Sequence, residues 1–252
     1  MIAALLVTHN SQDLLPDLLS SIDRQTRQPD IRLAIDDNST DATRDILRDH
    51  GFSVESSSTD ASDLTTRIAQ NFVQGVMSAS SKGAGVIVLG DHDDFWHPHR
   101  IAHQNEILQS NPAVSFVASN GRTPLGTLRT TFPVADDFNH WDSRQQWRYV
   151  AKHSIATGGA SALVPDRLGS TAVPDGWLHD RWWSLRAVRE GSMWIDPEIV
   201  IDYRVSPNQQ VGLDASDQGN RVKWAANKVK DLPSTLRKMK DIAALLSETK
   251  SG

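Results

Sequence analysis

The chain has 252 residues, 38% hydrophobic and 23% charged, the make-up of one large globular domain or of a domain with an appended tail. Its net charge of −5 argues against a general nucleic-acid binder, which is basic as a rule. It has no cysteine, which excludes disulfides, thiolate metal sites and cysteine nucleophiles and fits a cytoplasmic protein.

Residues 2–8, IAALLVT, are a continuous apolar run ending in the polar HNS, as in a parallel strand buried on both faces. The run is too short to span a membrane and has no basic stretch before it, so a first strand is expected rather than a leader. Leu14, Leu15, Leu18, Leu19 and Ile22 then recur at helical spacing, with Ser11 expected to cap that helix. IRLAI (31–35) reads as the second strand, stopped by DDNSTDAT, with a helix to about Asp49 and a third strand in FSVES (52–56). Between 60 and 79, Leu64, Ile68, Phe72 and Val76 repeat every four residues and give one apolar helix face. GVIVL (85–89) is a fourth strand that runs straight into DHDDFWHPH.

Past residue 110 the pattern is weaker. AVSFVAS (113–119) reads as a strand, TGGASALV (157–164) as a small-residue turn entering a strand, and GWLHDRWWSLRAV (176–188) as a loop leading into a helix. SMWIDPEIVIDYRV (192–205) suggests two short strands, and 221–240 carry seven Lys or Arg against one acid. Alternation of strands and helices predicts an open, mostly parallel Rossmann-like α/β sheet flanked by helices, followed by a helical C-terminal tail. Ligands of such sheets sit outside the carboxyl ends of the strands, and THNS, DDNS and DHDD each follow a strand. All three clusters can therefore meet on one edge.

Read singly, each cluster stays open. Asp91 and Asp93 at the end of a buried strand suit a hard divalent cation that bridges phosphate oxygens, or they form a solvated acidic turn before a helix in which Pro98 occupies the first turn. His92, His97, His99 and His103 do not make a two-histidine zinc motif. DDNSTDAT either caps a helix, or places Asp37 to accept a base N–H of a pyrimidine nucleotide while Thr8 and nearby backbone hold the ring. No GxxxxGK[ST] and no GxGxxG after a strand is present, and Ser161 lies in GASAL rather than GxSxG.

Taken in order, VTHN (7–10), IDDNSTDAT (35–43), LGDHDDFWHPHRI (89–101), GGASALV (158–164), HDRWW (179–183) and DYRVSPNQQVG (202–212) resemble the family 2 glycosyltransferases with the GT-A fold. The DHDDFWHP and HDRWW forms are most similar to the rhamnosyltransferase-like branch. The resemblance implies that Thr8 and Asp37 bind the nucleotide, with Arg67 beside the base or the diphosphate. It implies that Asp91 contacts ribose or the metal shell, that Asp93 is the direct metal ligand, and that Asp94 lies close by on the sugar or acceptor side. Asp180 would be the general base that removes the acceptor hydroxyl proton, with N-capping of its helix as the alternative. Trp182 and Trp183 would stack on sugar faces or fill the core, and Gly158 and Gly159 would let backbone approach the donor or acceptor, or would form only a turn. Relatives often carry a histidine after YR; here the chain reads Tyr203-Arg204-Val205-Ser206, so Arg204 is expected to hold the diphosphate instead.

These readings predict a GT-A domain over 1–212 and a basic helical tail over 213–252. The expected activity is inverting transfer from a dTDP- or UDP-sugar, with rhamnose favoured, to a glycan, glycolipid or protein hydroxyl with Mn²⁺ or Mg²⁺. The rivals are a nucleotidyltransferase, a non-catalytic module that binds sugar nucleotides, and a metal-dependent hydrolase. The tail is either a solvated helix that completes the fold or meets a second copy, or a peripheral contact at the inner face of the membrane.

Overall fold

Apolar strands with no polar position to turn toward water must be covered on both faces, and the N-terminal half of this chain is built so. β1 (Ile2–Thr8) lies between β2 (Ile31–Asp36) and β4 (Val86–Asp91), parallel to both, and β3 (Ser53–Ser56) adds a parallel edge to β2. The crossovers are α1 (Leu15–Asp23), α2 (Thr43–Asp49) and α3 (Leu64–Ser81). The computed structural model of the protein describes residues 1–124, 126–131, 134–204 and 232–248.

α1 starts later than expected. Pro16 is in its first turn, and the Ser11 hydroxyl donates to the His9 carbonyl at 3.1 Å instead of capping the helix. Asp63 caps α3 by accepting from the Thr66 amide at 2.8 Å, so that helix begins at Leu64 rather than near Asp60. Ala69, Phe72, Val76 and Ala79 form its buried stripe.

β4 leads through the Asp/His loop to β5 (Phe95–Trp96) and α4 (Arg100–Ser110). β6 (Phe116–Thr123) forms a hairpin with β7 (Gly126–Thr127), and the short α5 (Leu128–Thr131) and α6 (Ser143–Val150) follow. Then come β8 (Ser161–Leu163), α7 (Pro165–Leu168), α8 (His179–Glu190) and β9 (Met193–Asp202). The sheet order is β3-β2-β1-β4-β8-β6-β9-β5, with β7 paired to β6. β8 inserts antiparallel between β4 and β6, and this brings the segment from Gly158 onward alongside the end of β4.

The two short strands expected over 192–205 are one. β9 carries Pro197 in its middle, and the ladder to β6 absorbs the missing N–H by shifting register around Asn120 rather than by breaking. The strand expected at 113–119 starts at Phe116, because Asn111 turns the chain and accepts the Val114 amide at 2.9 Å.

The chain divides into two units, Met1–Arg204 and Val205–Gly252. In the second unit, α9 (Leu232–Ser247) exposes Leu236, Met239 and Leu246. The boundary expected at 212, the VSPNQQVG stretch and the basic run 221–231 lie outside the described residues. No helix among the described residues is long and apolar enough to cross a membrane.

Candidate functional site

β1 and β2 end side by side, with Thr8 in register with Asp36, so the loops after them share one edge. Asp36 is fully buried and braces that edge, accepting from the Thr8 hydroxyl at 3.2 Å and from the Ser39 hydroxyl and amide at 2.6 and 3.1 Å. Asn10 and Asn38 both adopt left-handed backbone (φ 44° and 56°), which asparagine tolerates better than most residues, and Asn10 Oδ1 accepts the Thr40 amide at 2.9 Å. The Asp37 amide donates to the Thr8 carbonyl at 2.8 Å, and its Oδ2 lies 2.8 Å from Arg67 Nε of α3. Asp37 Oδ1 is buried without a hydrogen-bond partner. Thr8, Asp37 and Arg67 are thus brought together as expected, with the Thr8 hydroxyl already committed to Asp36.

β4 delivers Asp91 to the same edge, in register with Val7. Asp91 is half-buried, whereas Asp93 and Asp94 are 4% and 0% exposed. Burial, together with the charges of Asp93 and Asp180, pushes Asp91 up to about 7 against the pull of Arg100. Burial also raises Asp93, and it raises Asp94 well above the usual carboxylate range, with Asp91 and Asp93 adding to the effect. Against this, only the Arg100 charge and the Arg204 amide favour the ionised form of Asp94. The cluster is short of positive charge.

The placement expected for Asp94 beside the sugar needs correction, because its side chain is wholly enclosed. The lid over it is Gly159. A Cβ there would come within 2.7 Å of Asp91 Oδ2 and nearer still to Asp94 Oδ2, and the Gly159 amide donates to Asp91. What this glycine lets the backbone approach is the protein's own carboxylates.

Arg100 was not among the residues expected at the site. It is fully buried, 4.0 Å over the Trp96 ring, and donates to the Leu89 carbonyl at 2.5 Å and to Gln104 Oε1 at 3.3 Å. Burial lowers it to about 9, so it is charged at neutral pH and offsets part of the Asp91–Asp94 repulsion. It shares the buried face of α4 with Gln104 and Leu108.

Asp180 lies in the first turn of α8, whose cap position is taken by Leu178 without a side-chain bond. Its Oδ2 accepts the Gly158 amide at 3.0 Å and its Oδ1 the Arg181 amide at 2.6 Å. Burial nonetheless pushes it up to about 6, and its charge is felt at Asp91. His179, also unexpected here, stacks on Phe72 at 3.8 Å and leans on Gly158, where any Cβ would strike its ring. Burial lowers its pKa to about 3, so the ring is neutral.

The tryptophans expected to stack on sugar do not present open faces. Trp183 is fully buried and donates to the Thr171 carbonyl at 3.0 Å, and Trp182 is 4% exposed against Trp177. Both fill core. Arg204 is half-buried, pairs with Asp17 at 2.8 Å and exerts a favourable charge on Asp93.

Three of the loop and helix histidines are matched to carboxylates of β9. His97 pairs with Asp202 at 3.1 Å, His99 with Glu198 at 3.0 Å and His103 with Asp196 at 2.9 Å. Paired carboxylate oxygens such as those of Asp91 and Asp93 are the donor type that Mg²⁺ or Mn²⁺ takes. Among the described residues no three His, Asp or Glu side chains are grouped so as to hold a metal ion. That suits an ion that takes one or two carboxylates and completes its shell with phosphate and water.

The glycosyl transferase family 2 model matches residues 4–157. No curated protein matches the chain in sequence. S. aureus TarS 1–349 in complex with UDP superposes with a TM-score of 0.60 at 14% identity, over 82% of this chain and 61% of its own. Glucosyl-3-phosphoglycerate synthase from Mycobacterium tuberculosis, with Mn²⁺, UDP and glucosyl-3-phosphoglycerate, gives 0.57 at 16%, over 82% and 73%. The mannosyltransferase PcManGT from Pyrobaculum calidifontis, with GDP-Man and Mn²⁺, gives 0.56 at 16%, over 82% and 57%. This chain is therefore shorter than the proteins it superposes on, and at these identities the likeness is one of fold.

Proposed function

Because the chain belongs to glycosyl transferase family 2, we propose that it transfers a sugar from a nucleoside-diphosphate donor to an acceptor hydroxyl, inverting the anomeric centre. The observation that carries this reading is the convergence of Asp37 with Arg67, of Asp91 with Asp93 and Asp94, and of Asp180, on the carboxyl edge of one sheet. Solved structures of similar fold hold UDP, or GDP-mannose with Mn²⁺, which supports a nucleotide sugar as donor and a divalent ion as cofactor. UDP- or dTDP-sugars are favoured, and the DHDDFWHP and HDRWW forms favour rhamnose.

Asp37 Oδ1, buried and without a partner, accepts the base N–H, and Thr8 holds the loop in place through Asp36. Arg67 fixes Asp37 from the other side. Asp93 and Asp91 would hold the metal, and Arg204 would supply positive charge on the diphosphate side. When bound, the ion would neutralise the diphosphate leaving group. Arg100 keeps the carboxylates from repelling one another out of place.

Asp180 acts on the acceptor. The Gly158 and Arg181 amides fix its two oxygens. The shift to about 6 makes it a stronger base than an ordinary carboxylate while it stays ionised at neutral pH. The acceptor oxygen gives its proton to Asp180 and bonds to the anomeric carbon as the bond from that carbon to the diphosphate oxygen breaks. Residues 1–212 form the catalytic domain in this reading. The basic tail, with Leu236, Met239 and Leu246 exposed on α9, contacts the inner membrane surface or a second copy.

The test is incubation with Mn²⁺ and a panel of UDP-, dTDP- and GDP-sugars, measuring nucleoside diphosphate release. Release with at least one donor is expected; no binding and no release with any donor overturns the reading.

A further inference from the structure

A groove of about 360 Å³ is lined by Trp141, Gln145, Arg148, Tyr149, Lys152 and His153. Its wall is aromatic: Trp141 and Tyr149 meet at 5.7 Å and 66°, and Tyr149 and His153 at 4.6 Å and 31°. Its rim is cationic. Arg148 and Lys152 are exposed, no acidic residue lines the groove, and neither cation makes an ion pair among the described residues.

The groove is anchored to the catalytic edge. The Arg181 guanidinium donates to the His153 carbonyl, and Arg181 follows Asp180 directly. His153 is five positions from Gly158, whose amide holds Asp180, a span of at most ~18 Å. A chain with its reactive hydroxyl at Asp180 can therefore reach the groove with units farther along.

We propose that this groove binds the distal part of the acceptor and that the acceptor is an extended glycan carrying negative charge, as phosphodiester or carboxylate groups. The assignment to an acceptor rests on the transfer reading above. Aromatic faces receive the apolar C–H faces of sugar rings, as amphipathic rings do in polar binding sites. An unpaired guanidinium beside an ammonium selects anionic over neutral units.

The experiment uses the full chain and measures tryptophan fluorescence on titration with a short oligogalacturonate, a maltooligosaccharide of equal length and a single-stranded oligonucleotide. UDP with Mn²⁺ is titrated calorimetrically into the same preparation, which tests the donor site separately. The oligogalacturonate is expected to bind most tightly. The double variant Arg148→Gln/Lys152→Gln should weaken it about tenfold and leave the maltooligosaccharide unchanged. Trp141→Phe, which keeps a ring, should retain the preference for the anionic glycan. UDP binding without discrimination between the charged and neutral glycans, or an oligonucleotide that outcompetes both, overturns the groove assignment while the donor reading stands.

Discussion

At Asp180 the two carboxylate oxygens receive two backbone amides, whereas Asp94, enclosed with Asp91 and Asp93, is offered only the Arg204 amide. The first arrangement holds a base in one orientation, and the second stores an unmet demand for a cation. Both carboxyls are raised above their ordinary value, with different consequences. Only the ionised form of Asp180 can take a proton, so kcat/KM should fall as pH drops through about 6 and level off above it, as a pH–rate profile will record. Asp180→Asn should lower transfer by roughly 10²–10⁴-fold while leaving UDP binding intact in calorimetry. Burial and the neighbouring Asp91 and Asp93 penalise the ionised form of Asp94, so Asp94→Asn should leave the metal-free fold at least as stable in chelator, measured by urea unfolding, while reducing metal-dependent activity. A destabilised variant would show that Asp94 already has its charge compensated.

The element that joins the two halves of the site is the short turn Gly158–Ala160 entering β8. Because β8 lies antiparallel beside β4, the turn reaches the end of β4, where Gly158 touches Asp180 and Gly159 covers Asp91 and Asp94. Gly159→Ala should drive a methyl group into both carboxylates, cost roughly 1–3 kcal/mol and weaken Mn²⁺-dependent binding of UDP, both read by thermal melts with and without metal and nucleotide. An unchanged melt and unchanged binding would mean that the loop relaxes freely. The sequence announces β1, β2 and β4 clearly, because strands buried on both faces are apolar without interruption. Asp91, Asp93 and Asp180 stand out in it only through the resemblance of their motifs to those of family 2 glycosyltransferases. Trp182 and Trp183 read ambiguously, since an indole before a helix suits a sugar face or a core equally, and only packing against Trp177 and Thr171 decides. Arg100 was hidden for the opposite reason: a charged residue in a helix normally points outward, and here the charge it faces sits on another element. β9 reads as two strands because Pro197 looks like a break, and the ladder bridges it with a bulge.

Across the whole first unit, the N-terminal parallel strands β1, β2 and β4 carry the proposed nucleotide and metal residues, and the later segment from Gly158 to α8 carries the proposed base. The two sets come from the two halves of this unit's sequence and meet because β8, beside β4, places the Gly158–Ala160 turn at the end of that strand. Donor and acceptor chemistry therefore depend on each other electrostatically: the Asp180 charge raises Asp91, and an ion at Asp91 and Asp93 would in turn make Asp180 easier to ionise. The most direct test of this account is Mn²⁺-dependent nucleoside diphosphate release by wild type and Asp93→Ala under identical donor concentrations. The account predicts a loss of roughly 10²-fold or more in the variant. Release by Asp93→Ala at the wild-type rate would contradict it.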